Sequence, residues 1–149
     1  MLEKLGTSAG KSIILILQNL SFYELALIRE KLKPSQYLLG FPPSGGGRTN
    51  NIVESVILSL PTMIGEADGR ITNRVKEVIK LFEAARLKAK IAEEIVPFLK
   101  THFLTIAALL APYFMAGSYD KTIKPFYIKK SILVMREVFE ICGREKTQT

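Results

Sequence analysis

Apolar and polar positions alternate in register along most of this chain, and their spacing predicts its elements. Ser12 to Gln18 is a short run built on Ile13, Ile14, Leu15, Ile16 and Leu17, between Gly10 and the polar Asn19. That pattern predicts a strand buried on both faces of a parallel sheet. Ser21 then reads as the N-cap of a helix from Phe22 to about Leu32, with Phe22, Leu25, Ala26, Ile28 and Leu32 as its apolar stripe and Pro34 ending it. Gln36 to Phe41 predicts a second strand. The following Pro42, Pro43, Ser44, Gly45, Gly46 and Gly47 read as a loop by composition. Asn51 to Leu58 and Thr62 to Glu66 predict two further strands on either side of Pro61.

Asp68-Gly69 is a turn signal, and Thr72 is placed to cap a helix to about Ala85, in which Val75, Val78, Ile79, Phe82 and Ala85 recur at helical spacing. Leu87 to Ile91 predicts a short strand. From Glu93 onward the spacing is helical throughout: one long apolar helix to about Met115, then a second from about Lys124 to Cys142, with Gly143 as its C-terminal cap. The expected fold is α/β followed by all-α, with the boundary between residues 92 and 93.

Composition narrows the class. The chain has 149 residues, 48% of them apolar and 23% charged, which suits a core-forming protein of about one domain. Residues 1 to 69 carry six basic and six acidic side chains, and residues 70 to 149 carry fifteen and eight, so the whole net charge of +7 lies in the second half. Those basic residues are spread among Val, Ile, Leu and Phe at helical spacing, without an arginine-rich run or interleaved aromatics. This reads as a solvated helix face and leaves nucleic acid aside as a partner. A single cysteine, Cys142, cannot form an intrachain disulfide, so a reducing cytoplasm is expected. The N-terminal apolar run is shorter than a signal-peptide core. The stretch from Phe103 to Gly117 falls short of the roughly 20 residues that cross a bilayer, so it reads as a buried helix and no membrane is expected.

Candidate chemistry is sparse. Gly6 to Ser12 resembles the end of a P-loop, but Gly6 stands four residues before Gly10 where the motif needs five, and the segment precedes its strand. No G-x-G-x-x-G fingerprint is present. Glu66 and Asp68 lack the further oxygen ligands of a calcium loop, and a strand end followed by a turn accounts for both. With His102 as the only histidine, neither a multi-histidine metal site nor a charge-relay triad can be assembled, so no metal is expected. Cys142 reads as core. Lys100 lies among Phe98, Leu99 and Phe103, where a lysine either snorkels to solvent or is kept for chemistry, such as hydrogen bonding a carbonyl oxygen that gains negative charge.

Four segments together resemble the ketopantoate reductase family, the 2-dehydropantoate 2-reductases. They are Leu15-Ile16-Leu17-Gln18-Asn19; Leu38-Leu39-Gly40-Phe41-Pro42 with Gly45-Gly46-Gly47-Arg48; Pro61 to Arg70; and Phe98-Leu99-Lys100-Thr101-His102. The resemblance implies NADPH-dependent reduction of a 2-keto acid to a 2-hydroxy acid, as in pantothenate synthesis. The implied fold is a partial Rossmann-type sheet, its NADP-binding domain ending near residue 92, followed by the first helices of a helical C-terminal domain. By resemblance Asn19 lies near the nicotinamide, Gly45, Gly46, Gly47 and Arg48 form a substrate-side loop, and Lys100 binds the keto oxygen and assists its protonation.

The chain also departs from the family pattern. Leu20 stands where glycine usually follows the asparagine, Leu104 replaces an asparagine one helical turn after the lysine, and Phe98 stands where tryptophan is common. The glycine-rich half-domain and the distal helices have no counterpart here, so the chain corresponds to the middle of the enzyme and is expected not to turn over alone. A strand left with an unpaired edge promotes association. A homo-oligomer or a companion chain is therefore expected. A second expectation, from another class, is a non-catalytic helical interaction module that contacts an acidic partner through its basic half.

Overall fold

The computed structural model describes residues 12–117, 121 and 124–146, with the side chains of 141, 142 and 144–146 excepted. The P-loop-like segment therefore lies mostly outside the described residues. Two compact units are formed, Met1–Phe98 and Leu99–Thr149.

The first unit holds a four-stranded sheet in the order β1-β2-β5-β6, from strands β1 (Ile14–Leu17), β2 (Tyr37–Phe41), β5 (Thr62–Gly65) and β6 (Ala89–Ile91). β1 and β2 are parallel, joined by helix α1 (Phe22–Lys31) and a 3-10 turn at Pro34–Gln36; β5 and β6 are parallel, joined by helix α2 (Asn73–Ala84). The two β-α-β units meet through an antiparallel pairing of β2 with β5. The sheet is therefore mixed, because the chain passes from β2 to β5 through a β-hairpin and not through a crossover helix.

That hairpin corrects the reading of Pro42 to Gly47 as a loop. Ser44–Thr49 forms strand β3, paired antiparallel along its whole length with β4 (Ile52–Ile57) as a separate two-stranded sheet. Gly45, Gly46 and Gly47 are strand residues, since the ladder to a β-branched partner strand overrides their weak strand propensity. Glycine is required at one of them, because a Cβ at Gly46 would run into the Glu54 carbonyl oxygen. The reversal is a two-residue connection in which Asn50 takes φ of 56°, a conformation asparagine tolerates.

The core lies on both faces of the sheet. Leu38, Ile64 and Val75 are fully buried together, with Leu15, Val78, Ile79, Phe82, Ala89 and Ile91 packed around them, so α2 covers this face. On the other face Tyr37 and Leu39 are buried as well, which is why β2 reads as a continuous apolar run. There the first turn of helix α3 (Ile95–Ala116) packs on the sheet: Gly65 leaves no room for a Cβ beside Ile95, and the Phe41 and Phe98 rings meet edge to face at 6.0 Å. β1 is only half-buried, with Ile13 and Leu17 exposed, and among the described residues it pairs with β2 alone. The expectation of a strand buried on both faces thus fails, because β1 sits at the sheet edge.

The second unit is helical, containing most of α3 and all of α4 (Pro125–Lys146). α3 runs for 22 residues straight through Pro112 and is long and apolar enough to cross a membrane by length and composition. Only 22% of that window is buried, which corrects the expectation of a buried helix whose apolar stretch is too short to cross a bilayer. Its end is made by Gly117, at φ of 71°, whose N–H bonds the Tyr113 carbonyl at 2.9 Å. Gly143, expected to cap α4, lies inside it.

Candidate functional site

The turn from β1 into α1 is held by a capping box. Ser21 Oγ accepts from the Glu24 N–H at 3.2 Å, and the Glu24 carboxylate accepts from the Ser21 N–H at 2.8 Å and its hydroxyl at 2.7 Å. Gln18 Nε2 adds a further bond to Glu24 at 2.8 Å. Those bonds, from the Ser21 backbone first, then its hydroxyl and Gln18, hold the Glu24 carboxyl below its ordinary value against the opposing effect of burial. Leu20, only 2% exposed, anchors the turn in the core, which accounts for a leucine where a flexible residue would leave the turn loose. Asn19 is thereby fixed between two held neighbours. Its Oδ1 is buried and accepts no hydrogen bond, the one such side-chain atom among the described residues.

The carboxyl ends of β1 and β2 and the amino ends of β5 and β6 share one edge of the sheet. The β3–β4 hairpin rises from this edge, and between them lies an open cleft of about 890 Å³. Leu17, Pro42, Thr62, Phe82 and Lys88 line its floor and side, and Gly45 to Arg48 form part of its wall. The cations Arg48, Arg86 and Lys88 line it with a single acid, Glu54, among mostly apolar surface. Arg48 Nε also bonds the Asn50 carbonyl at 3.0 Å, fastening the hairpin's own reversal, and Lys88 Nζ bonds the Ser59 carbonyl at 3.2 Å. Asn19 follows β1 at the same end of the sheet, beyond the cleft-lining Leu17.

Glu66 and Asp68, weighed as paired carboxylates, have separate roles. Asp68 pairs with Arg70 at the surface, at 2.7 Å. Glu66 is 4% exposed and is bound by Thr72 and by Arg74, whose Nε lies 2.7 Å from it. Burial by itself would raise the Glu66 carboxyl, but the hydrogen bonds from Arg74 and Thr72 and the charge of Arg74 outweigh it and hold the group below its ordinary value. The same guanidinium donates to the carbonyls of Pro34, Ser35 and Tyr37. Sequence reasoning missed Arg74, whose partners lie eight to forty residues away.

Lys100 and His102 lie half-buried on α3 in the second unit, and burial holds the His102 imidazole below its ordinary value. The Cys142 side chain lies outside the described residues. No group of three or more His, Cys, Asp or Glu residues is placed to hold a metal ion among the described residues. Fold and site together define an α/β unit with a cleft at one sheet edge, followed by a helical unit. Comparison with protein-family models and with curated proteins finds no match.

Proposed function

We propose that this chain is a ketopantoate-reductase-like polypeptide that takes part in NADPH-dependent reduction of a 2-keto acid to a 2-hydroxy acid, in the cytoplasm. The observation that carries this reading is the buried, unpaired Asn19 Oδ1, held rigidly in the turn after a parallel strand. Open sheets bind ligands beyond the carboxyl ends of their parallel strands, and a buried acceptor without a donor favours a ligand that brings one. A nicotinamide carboxamide offers such an N–H, so the residue fits the cofactor. NADPH, when bound, supplies the hydride.

The chain's own residues orient and polarise. Asn19 accepts the cofactor's amide hydrogen and the Gly45 to Arg48 strand forms a wall for the keto acid, while the resemblance gives Lys100, in the second unit, the role of donating to a keto oxygen as negative charge develops there. In this reading the sheet is the later part of a Rossmann-type domain. The exposed side of β1 receives a further strand, from a second copy or a companion chain.

Titration of the purified chain with NADPH, following nicotinamide fluorescence, tests the reading. Saturable binding is expected, weakened about tenfold in Asn19→Leu, which keeps the side-chain volume and removes the acceptor. Absence of binding at millimolar NADPH would sink the proposal and favour the second reading, a non-catalytic helical interaction module. The observation on that side is the amount of apolar surface that α3 and α4 expose.

A further inference from the structure

The β3–β4 hairpin gives one particular face to the cleft. Cross-strand partners share a face, so Ser44, Gly46 and Arg48 lie with Ile57, Ser55 and Val53, and all six line the cleft. Ile52 and Val56, which alternate to the other face, do not. The small Ser44, Gly46 and Ser55 leave a trough between the larger Val53 and Ile57, which are 72% and 73% exposed. The rest of the lining adds Leu17, Leu60 and Leu87, apolar and exposed as well.

Arg86 brings charge to this cleft at a conformational cost. Helix α2 ends in a Schellman motif, in which the Arg86 N–H donates to the Glu83 carbonyl and the Leu87 N–H to the Phe82 carbonyl, both at 2.9 Å. Arg86 is thereby held at φ of 59°, the left-handed position that glycine takes without strain. Apart from Asn50 it is the one non-glycine residue so placed among the described residues. Its guanidinium has no ion-pair or hydrogen-bond partner among the described residues, unlike those of Arg70 and Arg74. Glu54, the one acid of the lining, alternates to the other face of the hairpin and pairs with none of the three cations. Backbone strain of this kind persists where the side chain has a use.

We propose that this cleft binds a carboxylate with a long apolar tail, the head held in the fork of the Arg86 guanidinium and the tail laid along the trough. The excess of cations in the lining calls for an anion. A carboxylate presents two oxygens at the spacing of a guanidinium's parallel N–H groups. The apolar walls call for a tail, and about 890 Å³ lies near the upper end for small-molecule sites, more than a short acid fills. Arg48 and Lys88, each fastened to a backbone carbonyl, add to the positive field, while Arg86 keeps all of its donors for the head. This binding needs neither NADPH nor Lys100, so it stands or falls separately from the reductase reading.

Titration calorimetry of the full chain with octanoate, without NADPH, should show one saturable site. Acetate, which lacks the tail, and octanol, which lacks the charge, should each bind at least about tenfold more weakly. Arg86→Gly is the decisive variant. It should weaken octanoate about tenfold and at the same time raise the thermal unfolding midpoint by about 2–4 °C, because glycine relieves the left-handed position. An arginine with a merely structural role would lower the midpoint when removed. Lys76→Ala, exposed on α2 and outside the lining, should leave octanoate binding unchanged. In the isotope-labelled chain, amide shifts on adding octanoate should concentrate in residues 44–48, 53–60 and 86–88. No saturation by about 10 mM octanoate, octanol binding as well as octanoate, wild-type binding in Arg86→Gly, or shifts confined to α3 and α4 would each overturn the proposal. Octyl phosphate binding more than about tenfold tighter than octanoate would overturn it in favour of a phosphate head.

Discussion

Arg74, at the start of α2, holds the Glu66 carboxylate at the end of β5 and in the same reach bonds the backbone carbonyls of the turn that leads into β2. One guanidinium thus joins the two β-α-β units on the side away from the hairpin. Its planar fork serves several acceptors at once, which a lysine ammonium would not do with the same geometry.

Removing one member of this pair leaves the other charged and buried. Arg74→Ala is expected to lower the stability of the first unit by about 3–5 kcal/mol in urea unfolding, the range for breaking a buried pair from one side. Arg74→Lys should recover only part of that. A loss below about 1 kcal/mol in Arg74→Ala would show that the contact is a surface pair in practice.

Glu66 and His102 are two of the groups with depressed values that shape the acid limb of stability, the Glu24 and Asp68 carboxyls being others. The folded-state Glu66 carboxyl lies below 4.5, so its contribution is present above that value and is lost as pH falls through the folded value. The folded-state imidazole of His102 lies below 6.5, so the unfolded chain takes up its proton first, and stability declines as pH falls from 6.5 toward the folded value. Unfolding midpoints measured across acid pH should therefore drop in two stages. His102→Asn should abolish the upper stage alone, and Glu66→Gln should reduce the lower, to which Glu24 and Asp68 also contribute; an upper stage that persists without the imidazole would refute its assignment.

The capping box at Ser21 satisfies two backbone donors with one pair of side chains. Ser21→Ala should lower stability by about 1 kcal/mol. Ser21→Thr should nearly restore it, and equal losses in the two variants would argue that shape and not the hydroxyl matters.

The hairpin is a separate two-stranded sheet that contributes none of the residues of the main core. Gly46→Val should therefore open the hairpin through collision with the Glu54 carbonyl while leaving that core folded. Limited proteolysis reads this as new cleavage near Asn50-Asn51, with the cooperative unfolding transition retained. Global unfolding instead would mean that the hairpin and the main sheet fold as one.

Local signals were legible wherever neighbouring residues carry the interaction. Ser21 and Thr72 cap their helices, and the helices start where those residues place them. Strands β2, β4, β5 and β6 form where the apolar runs predict, each trimmed at its ends. The failures share one cause. Three consecutive glycines read as a loop until the partner strand is known, and the Asn50-Asn51 reversal was the unused signal of a hairpin. Gly143 read as a cap although its helix continues past it, while Gly117 carries the positive φ that ends α3. A glycine's identity permits such a termination without requiring it.

The candidate site divides in the same way. The family resemblance points to Asn19 and Gly45 to Arg48, and they lie toward one end of the sheet because β1 and β2 are parallel neighbours. That Asn19 Oδ1 is buried without a donor, that Arg48 fastens its own turn, and that Glu66 is neutralised by Arg74 are products of distance in space, not in sequence.

The sequence by itself determined the alternation of strands and helices in the first unit, the helical character of the second and the N-caps at Ser21 and Thr72, because these depend on contacts within a few residues. Tertiary structure alone decided that β2 and β5 run antiparallel, that the glycine segment is a strand, that β1 lies at an edge and that the long helices keep apolar faces exposed. Each of these depends on which distant segment supplies the other half of a hydrogen-bond ladder or a packed face, and short-range periodicity carries no information about that partner.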